Sequence, residues 1–185
     1  MTDKNPPLLF LDTETSGLDP RRHGILQIAW ILEMDDKVLA EKVMDIQLPP
    51  NTDLCMAALD CNGFTLARTI QGKTLSYMFA ALKSDLSLAV KSDLLVRPVG
   101  HNVQFDLDFL KAASDQCREN IQFSLDFKKS LDTLAVLRWM DYRGAIHLKD
   151  YKLETVAQNF AIPLKAHDAL EDVRATRAVF HLLKP

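Results

Sequence analysis

The stretch "LLFLDTETSGLDP" (residues 8–20) decides the fold, because it begins as a buried strand and then places two acids together. Its continuous run of large apolar residues predicts a β-strand over residues 7–12 that is buried on both faces. Asp12 ends this run, and Glu14 follows two positions later. Since residues i and i+2 of a strand point to the same side, the two carboxylates project together. Their repulsion and desolvation favour a bound cation such as Mg²⁺; the alternative is that they only solvate a strand end near a turn.

The remaining apolar pattern predicts an α/β domain. Strands are predicted at residues 25–34 and 37–48, with the polar "DDK" as a hairpin turn between them. Helices are predicted at residues 53–60, 74–90, 103–117, 152–160 and 168–183. The segment 94–102 predicts a strand that ends at Gly100, and residues 130–140 predict a short strand running into a helix. Asp168 and Glu171 form a capping-box pattern at the last helix. Early hairpins followed by crossovers predict a mixed sheet. Residues 1–185 are interpreted as a single domain with its core at about residues 7–183.

Bulk properties exclude several classes of protein. A length of 185 residues suits about one domain with a real core. The net charge of −3 argues against a nucleic-acid binder that works by bulk electrostatics, although residues 126–185 carry +2 and residues 1–125 carry −5. Three cysteines without Cys-x-x-Cys spacing predict free thiols rather than a disulfide framework or a zinc site. Without a secretory signal or a membrane-length apolar stretch, the expected location is the cytoplasm.

A further acid lies in the segment "HNVQFDLDFL" (residues 101–110). Asp106 follows a predicted strand end and opens an apolar helix, and its neighbours Phe105 and Phe109 are typical of a core. The helix dipole also favours an acid in the first turn, so Asp106 alone indicates either a site or an ordinary helix start. In the second case Asn102 is a simple N-cap.

The last informative segment is "HDALEDVRAT" (residues 167–176). His167 lies just before the final predicted helix, and Asp172 lies inside it. By helical spacing Asp172 shares a side of the helix with Ala169, Val173 and Thr176, so this side need not face solvent. The alternative is a surface histidine, with Asp172 paired to Arg174 or Arg177 of the same helix.

In combination, the three segments resemble the three motifs of the DnaQ-like DEDDh 3′–5′ exonucleases. The motifs read Asp-x-Glu, then Asn-x-x-Phe-Asp, then His-x-x-x-x-Asp, in the same order along the chain. That family includes the proofreading subunits and domains of DNA polymerases, RNase T and oligoribonuclease. The resemblance extends from Leu8 to about Leu183. It implies a ribonuclease H-like α/β fold, in which helices flank a central mixed sheet of about five strands.

The resemblance also implies a two-metal hydrolysis of phosphodiester bonds. Asp12, Glu14, Asp106 and Asp172 would hold two divalent ions, Mg²⁺ or else Mn²⁺, roughly 4 Å apart. Asp12, Glu14 and Asp172 would bind the ion that carries the attacking water. Asp12 would also bridge to the second ion, on which Asp106 acts mainly through water. His167 would take the proton from the water, which suits a side chain with an unperturbed pKa of about 6.5. The products would be nucleoside 5′-monophosphates released from the 3′ end.

By the same resemblance, four residues would contact the terminal nucleotide: Thr15, Leu18, Asn102 and Phe105. For Leu18 and Phe105 the equal alternative is packing in the core, and for Asn102 it is shaping the turn beneath Asp106. Basic side chains of the second half are candidates for phosphate contact, with a solvated basic face as the alternative: Lys128, Lys129, Arg143, Lys149 and Lys152.

The first two motifs favour single-stranded or frayed DNA as the substrate. The alternative is an exoribonuclease like RNase T or oligoribonuclease, which differs in whether a 2′-hydroxyl is tolerated. A catalytically silent nucleic-acid-binding module and a purely structural protein are the non-enzymatic alternatives, although all five motif positions are filled. The expected partners are nucleic-acid 3′ ends, and no membrane association is expected. Non-covalent association with a polymerase or with another repair or replication factor is left open. The oligomeric state is left open as well.

Overall fold

The computed structural model describes residues 5–89, 95–121, 124–165 and 168–183. Within these ranges the chain forms five strands and six α-helices. In chain order they are β1 (Leu8–Thr15), β2 (Ile25–Met34), β3 (Lys37–Asp45), α1 (Met56–Asn62), α2 (Leu75–Leu86), β4 (Arg97–Gly100), α3 (Val103–Cys117), β5 (Leu131–Asp132), α4 (Thr133–Tyr142), α5 (Leu153–Asn159) and α6 (Ala169–Leu183).

The strands form one mixed sheet in the order β3-β2-β1-β4-β5. The pairs β1–β2 and β2–β3 are antiparallel, because short connections reverse the chain, and β1–β4 and β4–β5 are parallel. The predicted mixed sheet of about five strands is therefore confirmed. Its central strand is β1, which carries the first two acids.

Strand β1 is longer than the apolar run that predicted it. Pairing with β2 continues past the end of that run, with Asp12 opposite Ala29 and Glu14 opposite Gln27, and an irregularity follows between Glu14 and Thr15. The prediction that the strand ends at residue 12 is wrong, because ladder hydrogen bonds to a neighbouring strand extend it. Both acids consequently lie inside a strand that is paired along its length with β2.

The alternation of side chains along β1 decides which helix each polar residue meets. Leu11 packs on the side of the sheet that α2 and α3 cover, and Phe10 packs on the side that α6 covers. Because the side-chain period of a strand is two, Asp12 and Glu14 continue the Phe10 side and Thr13 continues the Leu11 side. The strand thus directs its acids toward α6 and its threonine toward α3.

Helix boundaries follow the predicted pattern with local differences. Helix α3 has the predicted bounds, whereas the helix predicted at 74–90 ends at Leu86. Asp168 caps α6, since its Oδ1 accepts hydrogen bonds from the amides of Leu170 at 3.1 Å and Glu171 at 3.4 Å. A capping box also requires the Glu171 side chain to accept a hydrogen bond from the Asp168 amide. This part of the prediction is wrong, because the Glu171 carboxylate accepts a hydrogen bond from Arg174 instead, at 2.7 Å.

Two further expectations concern thiols and membranes. The three cysteines are free thiols, as predicted, with Cys55 and Cys61 exposed and Cys117 half-buried. None of the helices in the described ranges combines the length and the apolar character that crossing a bilayer requires.

Candidate active site

Three of the predicted acids meet near the C-terminal end of the central strand β1. Asp12 and Glu14 come from β1, and Asp172 comes from the first turn of α6. Carboxylate oxygens of the three residues lie within 4.8 Å of one another. Glu14 is buried, and Asp12 and Asp172 are half-buried. A compact set of carboxylate oxygens is the donor set that Mg²⁺ and Mn²⁺ prefer, so these three residues fit a divalent ion.

The fourth acid, Asp106, is attached directly to β1. It lies in the first turn of α3 and is only 4% exposed. Its Oδ1 accepts a hydrogen bond from the Thr13 amide at 2.8 Å and a second from the Thr13 hydroxyl at 2.7 Å. Because Thr13 lies between Asp12 and Glu14 in the strand, these bonds hold the start of α3 beside the acid cluster.

Burial and neighbouring charge raise the pKa of two of the carboxylates, Asp12 and Asp106. Burial raises the pKa of Asp12 well above its usual range, and three neighbouring carboxylates raise this pKa further: Asp106, Asp172 and Glu14. Burial raises the pKa of Asp106 to about 7, although the hydrogen bonds from Thr13 lower it. Protons thus offset part of the charge when no cation does, and a bound cation would displace them.

A cleft of about 530 Å³ lies against the acid cluster. Glu14 and Thr15 form part of its lining, and Leu18 and Phe105 lie on it as well. Leu18 is 83% exposed, so the alternative that it packs in the core is wrong. Phe105 combines both of its predicted positions: it lines the cleft and also packs on Phe109, with the ring centroids 5.0 Å apart. Thr15 is buried, and its hydroxyl donates to the Gly17 carbonyl at 2.7 Å.

The opposite wall of the cleft was not predicted. It is formed by helix α1 and the segment before it, through residues Cys55, Ala57, Ala58, Cys61 and Asn62. The Asn62 amide group donates to the Thr15 carbonyl at 3.1 Å and so attaches α1 to the end of β1. The ring of His23 also lines the cleft, and it packs so closely on Gly17 that a Cβ there would lie 2.2 Å from it. Only glycine fits at position 17 without displacing this ring.

The remaining predicted residues have different outcomes. Asn102 occupies the N-cap position of α3, but its side chain makes no capping bond, its backbone is left-handed with φ of 69°, and it is not part of the cleft lining. His167 lies outside the described residues. Of the two arginines that the alternative would pair with Asp172, Arg174 binds Glu41 and Glu171, and Arg177 binds Glu33.

Replacing Thr13 with valine tests the attachment of Asp106 to β1. Valine has nearly the same shape but lacks the hydroxyl, so the buried carboxylate loses one of its donors. We expect the free energy of unfolding at pH 8, with chelator present, to fall by about 1–3 kcal/mol. Chemical denaturation measures this loss, and Thr13→Ser, which keeps the hydroxyl, is the matched control. Equal stability of the valine variant and the wild type would show that the hydroxyl is dispensable.

The fold and the acidic edge of the sheet place the chain in the class of ribonuclease H-like nucleases. An RNase T family model described as "Exonuclease" matches residues 9–180. DNA polymerase III subunit epsilon of Rickettsia typhi is 31% identical over 176 residues, which cover 93% of this chain and 71% of that protein. The protein of the same name from Rickettsia prowazekii is 32% identical over 177 residues, with the same two coverages. E. coli exonuclease I in complex with a dT13 oligonucleotide superposes with a TM-score of 0.81 over 97% of this chain. At 22% identity that likeness concerns the fold, and this chain spans 41% of the exonuclease I chain.

The chain therefore belongs to the DnaQ-like 3′–5′ exonuclease family, and it is a 3′–5′ exonuclease. The expectations of family, fold class and enzyme class are confirmed. The family depends on divalent metal ions, and the carboxylates at the edge of the sheet supply suitable ligands.

Proposed function

We propose that this chain removes nucleoside 5′-monophosphates from the 3′ ends of single-stranded or frayed DNA, with two Mg²⁺ ions as cofactors. The observation that carries the proposal is the position of Glu14, which belongs both to the acid cluster and to the lining of the cleft. A ligand in the cleft thus lies directly against the carboxylates. The volume of about 530 Å³ is in the range of small-ligand sites and suits a terminal nucleotide.

In the proposed mechanism the five motif residues divide the work. Asp12, Glu14 and Asp172 would hold one divalent ion, and Asp12 and Asp106 would help to hold the second. When bound, the two ions supply an activated water and stabilise the leaving 3′-oxygen. His167 accepts the proton of the attacking water. Because bound cations would neutralise the scissile phosphate, an acidic chain with a net charge of −3 can still bind an anionic substrate.

The residues around the terminal nucleotide are part of the same proposal. Thr15 fixes the strand end beneath the nucleotide, and Leu18 and Phe105 contact its base from the cleft wall. Asn102 contributes by shaping the turn that leads to Asp106. We also propose that the protein acts in the cytoplasm and associates non-covalently with a polymerase, because relatives are named as a DNA polymerase III subunit.

The test is hydrolysis of matched 5′-labelled single-stranded DNA and RNA oligonucleotides, with Mg²⁺, with Mn²⁺ and with chelator. We expect a metal-dependent ladder that shortens from the 3′ end and forms faster on DNA. A faster ladder on RNA would assign the protein to the exoribonucleases instead. No cleavage of either substrate with either metal would point to a silent binding module.

A further inference from the structure

Helix α4 presents an aromatic face to solvent. Tyr142 is 88% exposed and Trp139 is 59% exposed, three residues apart and hence on one side of the helix. Val136, one turn earlier, is 42% exposed. The guanidinium of Arg143 lies 5.3 Å from the centroid of the Trp139 ring. We call these four residues, together with Arg138, the α4 face. Large aromatic side chains are seldom grouped on a free surface without a ligand.

The segment that contains this face is locally basic in an acidic protein. Residues 133–152 hold four Lys and Arg and two Asp, a net charge of +2; since the whole chain carries −3, the remainder carries −5. Within residues 124–165, the four basic side chains form no ion pair: Arg138, Arg143, Lys149 and Lys152. The two acids already have partners. Asp141 accepts a bond from the Tyr151 hydroxyl at 2.6 Å, and Asp150 accepts one from the Lys152 amide at 3.0 Å.

The α4 face is connected to the acid cluster through the starts of two helices. The Asp132 carboxylate accepts bonds from the Leu134 amide at the start of α4 and from the Asn102 amide at the start of α3, both at 2.9 Å. Asp106 lies about 6 Å along α3 from Asn102, and Trp139 lies about 10 Å along α4 from Asp132. The helix that carries Asp106 and the helix that carries Trp139 are therefore anchored at their starts to the same carboxylate.

We propose that the α4 face binds the part of a single strand that precedes its 3′ end. Bases stack on Trp139 and Tyr142, and phosphates contact Arg138, Arg143 and the lysines of residues 149–152. Interleaved aromatic and cationic side chains are the usual means of holding single strands without sequence preference. This inference rests on the proposed function, because it takes the strand's 3′ end to lie in the active site. It assigns the face to nucleic acid rather than to a protein partner.

Tryptophan fluorescence tests the contact without requiring catalysis. The chain has two tryptophans, and Trp30 is fully buried, so a ligand-induced change reports on Trp139. In the Asp12→Ala background, an oligonucleotide of about twelve thymidines is expected to quench the emission, and the quench is expected to weaken as salt rises. The quench should disappear in Asp12→Ala/Trp139→Phe. Emission that does not change with the oligonucleotide overturns the proposal and leaves the face to a protein partner.

Kinetics separate this inference from the proposed function. On the twelve-nucleotide substrate, Trp139→Ala is expected to raise KM about tenfold with little change in kcat, whereas on a thymidine dinucleotide both parameters should stay at wild-type values. Tyr77→Ala is the matched control, because Tyr77 is 55% exposed on α2 and also lies beside a cation, Lys73, at 5.3 Å. Equal effects of Trp139→Ala on both substrates, or equal effects of the two variants, would refute the α4 contact. Wild-type protein that cleaves neither substrate refutes the proposed function, while the fluorescence result still decides the α4 face.

Discussion

Asp12→Ala is expected to lower kcat for DNA hydrolysis by about 10³–10⁵-fold, because metal-ion stabilisation of the transition state is worth several kcal/mol. In metal-free protein the same change is expected to raise the melting temperature, by about 3 °C. The reason is that burial and three nearby carboxylates disfavour the charged Asp12, so removing its carboxylate relieves a cost of folding. Activity assays and thermal denaturation with chelator measure the two effects.

Asp108→Ala is the matched control for Asp12→Ala. Asp108 lies on the same helix as Asp106, is exposed, and accepts a hydrogen bond from Gln104 at 2.7 Å. The substitution Asp108→Ala removes one negative charge near the site, as Asp12→Ala does, but leaves the acid cluster intact. The kcat of this variant should therefore stay at the wild-type value. Wild-type activity in Asp12→Ala would show that the metal assignment is wrong, and a lower melting temperature would contradict the argument from repulsion.

His167→Ala is expected to lower kcat by about 10²–10⁴-fold and to change KM little, because general-base catalysis contributes to the rate and not to binding. The acid limb of the pH–rate profile should become less steep in this variant, since the imidazole no longer titrates while protonation of the carboxylates that hold the metal still lowers the rate. Steady-state kinetics across pH measure both effects.

Free imidazole provides the control for His167→Ala. Added to the buffer, it should restore part of the rate of His167→Ala and none of the rate of Asp12→Ala, because it replaces a proton acceptor and not a metal ligand. A rise in KM at unchanged kcat would assign His167 to substrate binding and exclude it as the base.

The fold was predictable where local periodicity matches the final structure. The apolar run of β1, the hairpin between β2 and β3 and the helix at residues 103–117 all follow from the local sequence. The prediction failed where pairing between distant segments extends an element. β1 continues through Thr15 because β2 pairs with it, and the acids Asp12 and Glu14, which are uncommon in strands, hide this continuation in the sequence although Thr13 and Thr15 favour it.

The candidate site was predictable in its acids and not in its surroundings. Asp12, Glu14, Asp106 and Asp172 are named by the motifs, and the structure brings three of them together and ties the fourth to β1. The α1 wall of the cleft has no motif, since small and apolar residues on a short helix resemble any packed surface. The role of Thr13 was equally hidden, because its partner lies 93 residues away in the sequence.

The bonds from Thr13 to Asp106 join two parts of the active site that lie far apart along the chain. One acid pair belongs to the first strand, one acid to a helix that follows the fourth strand, and one to the last helix of the described chain. The active site therefore exists only when the sheet and both of its helical layers are assembled, so catalysis reports on cooperative folding of the whole domain. A fragment that keeps most of the sheet but loses α6 would retain much of the secondary structure and none of the turnover.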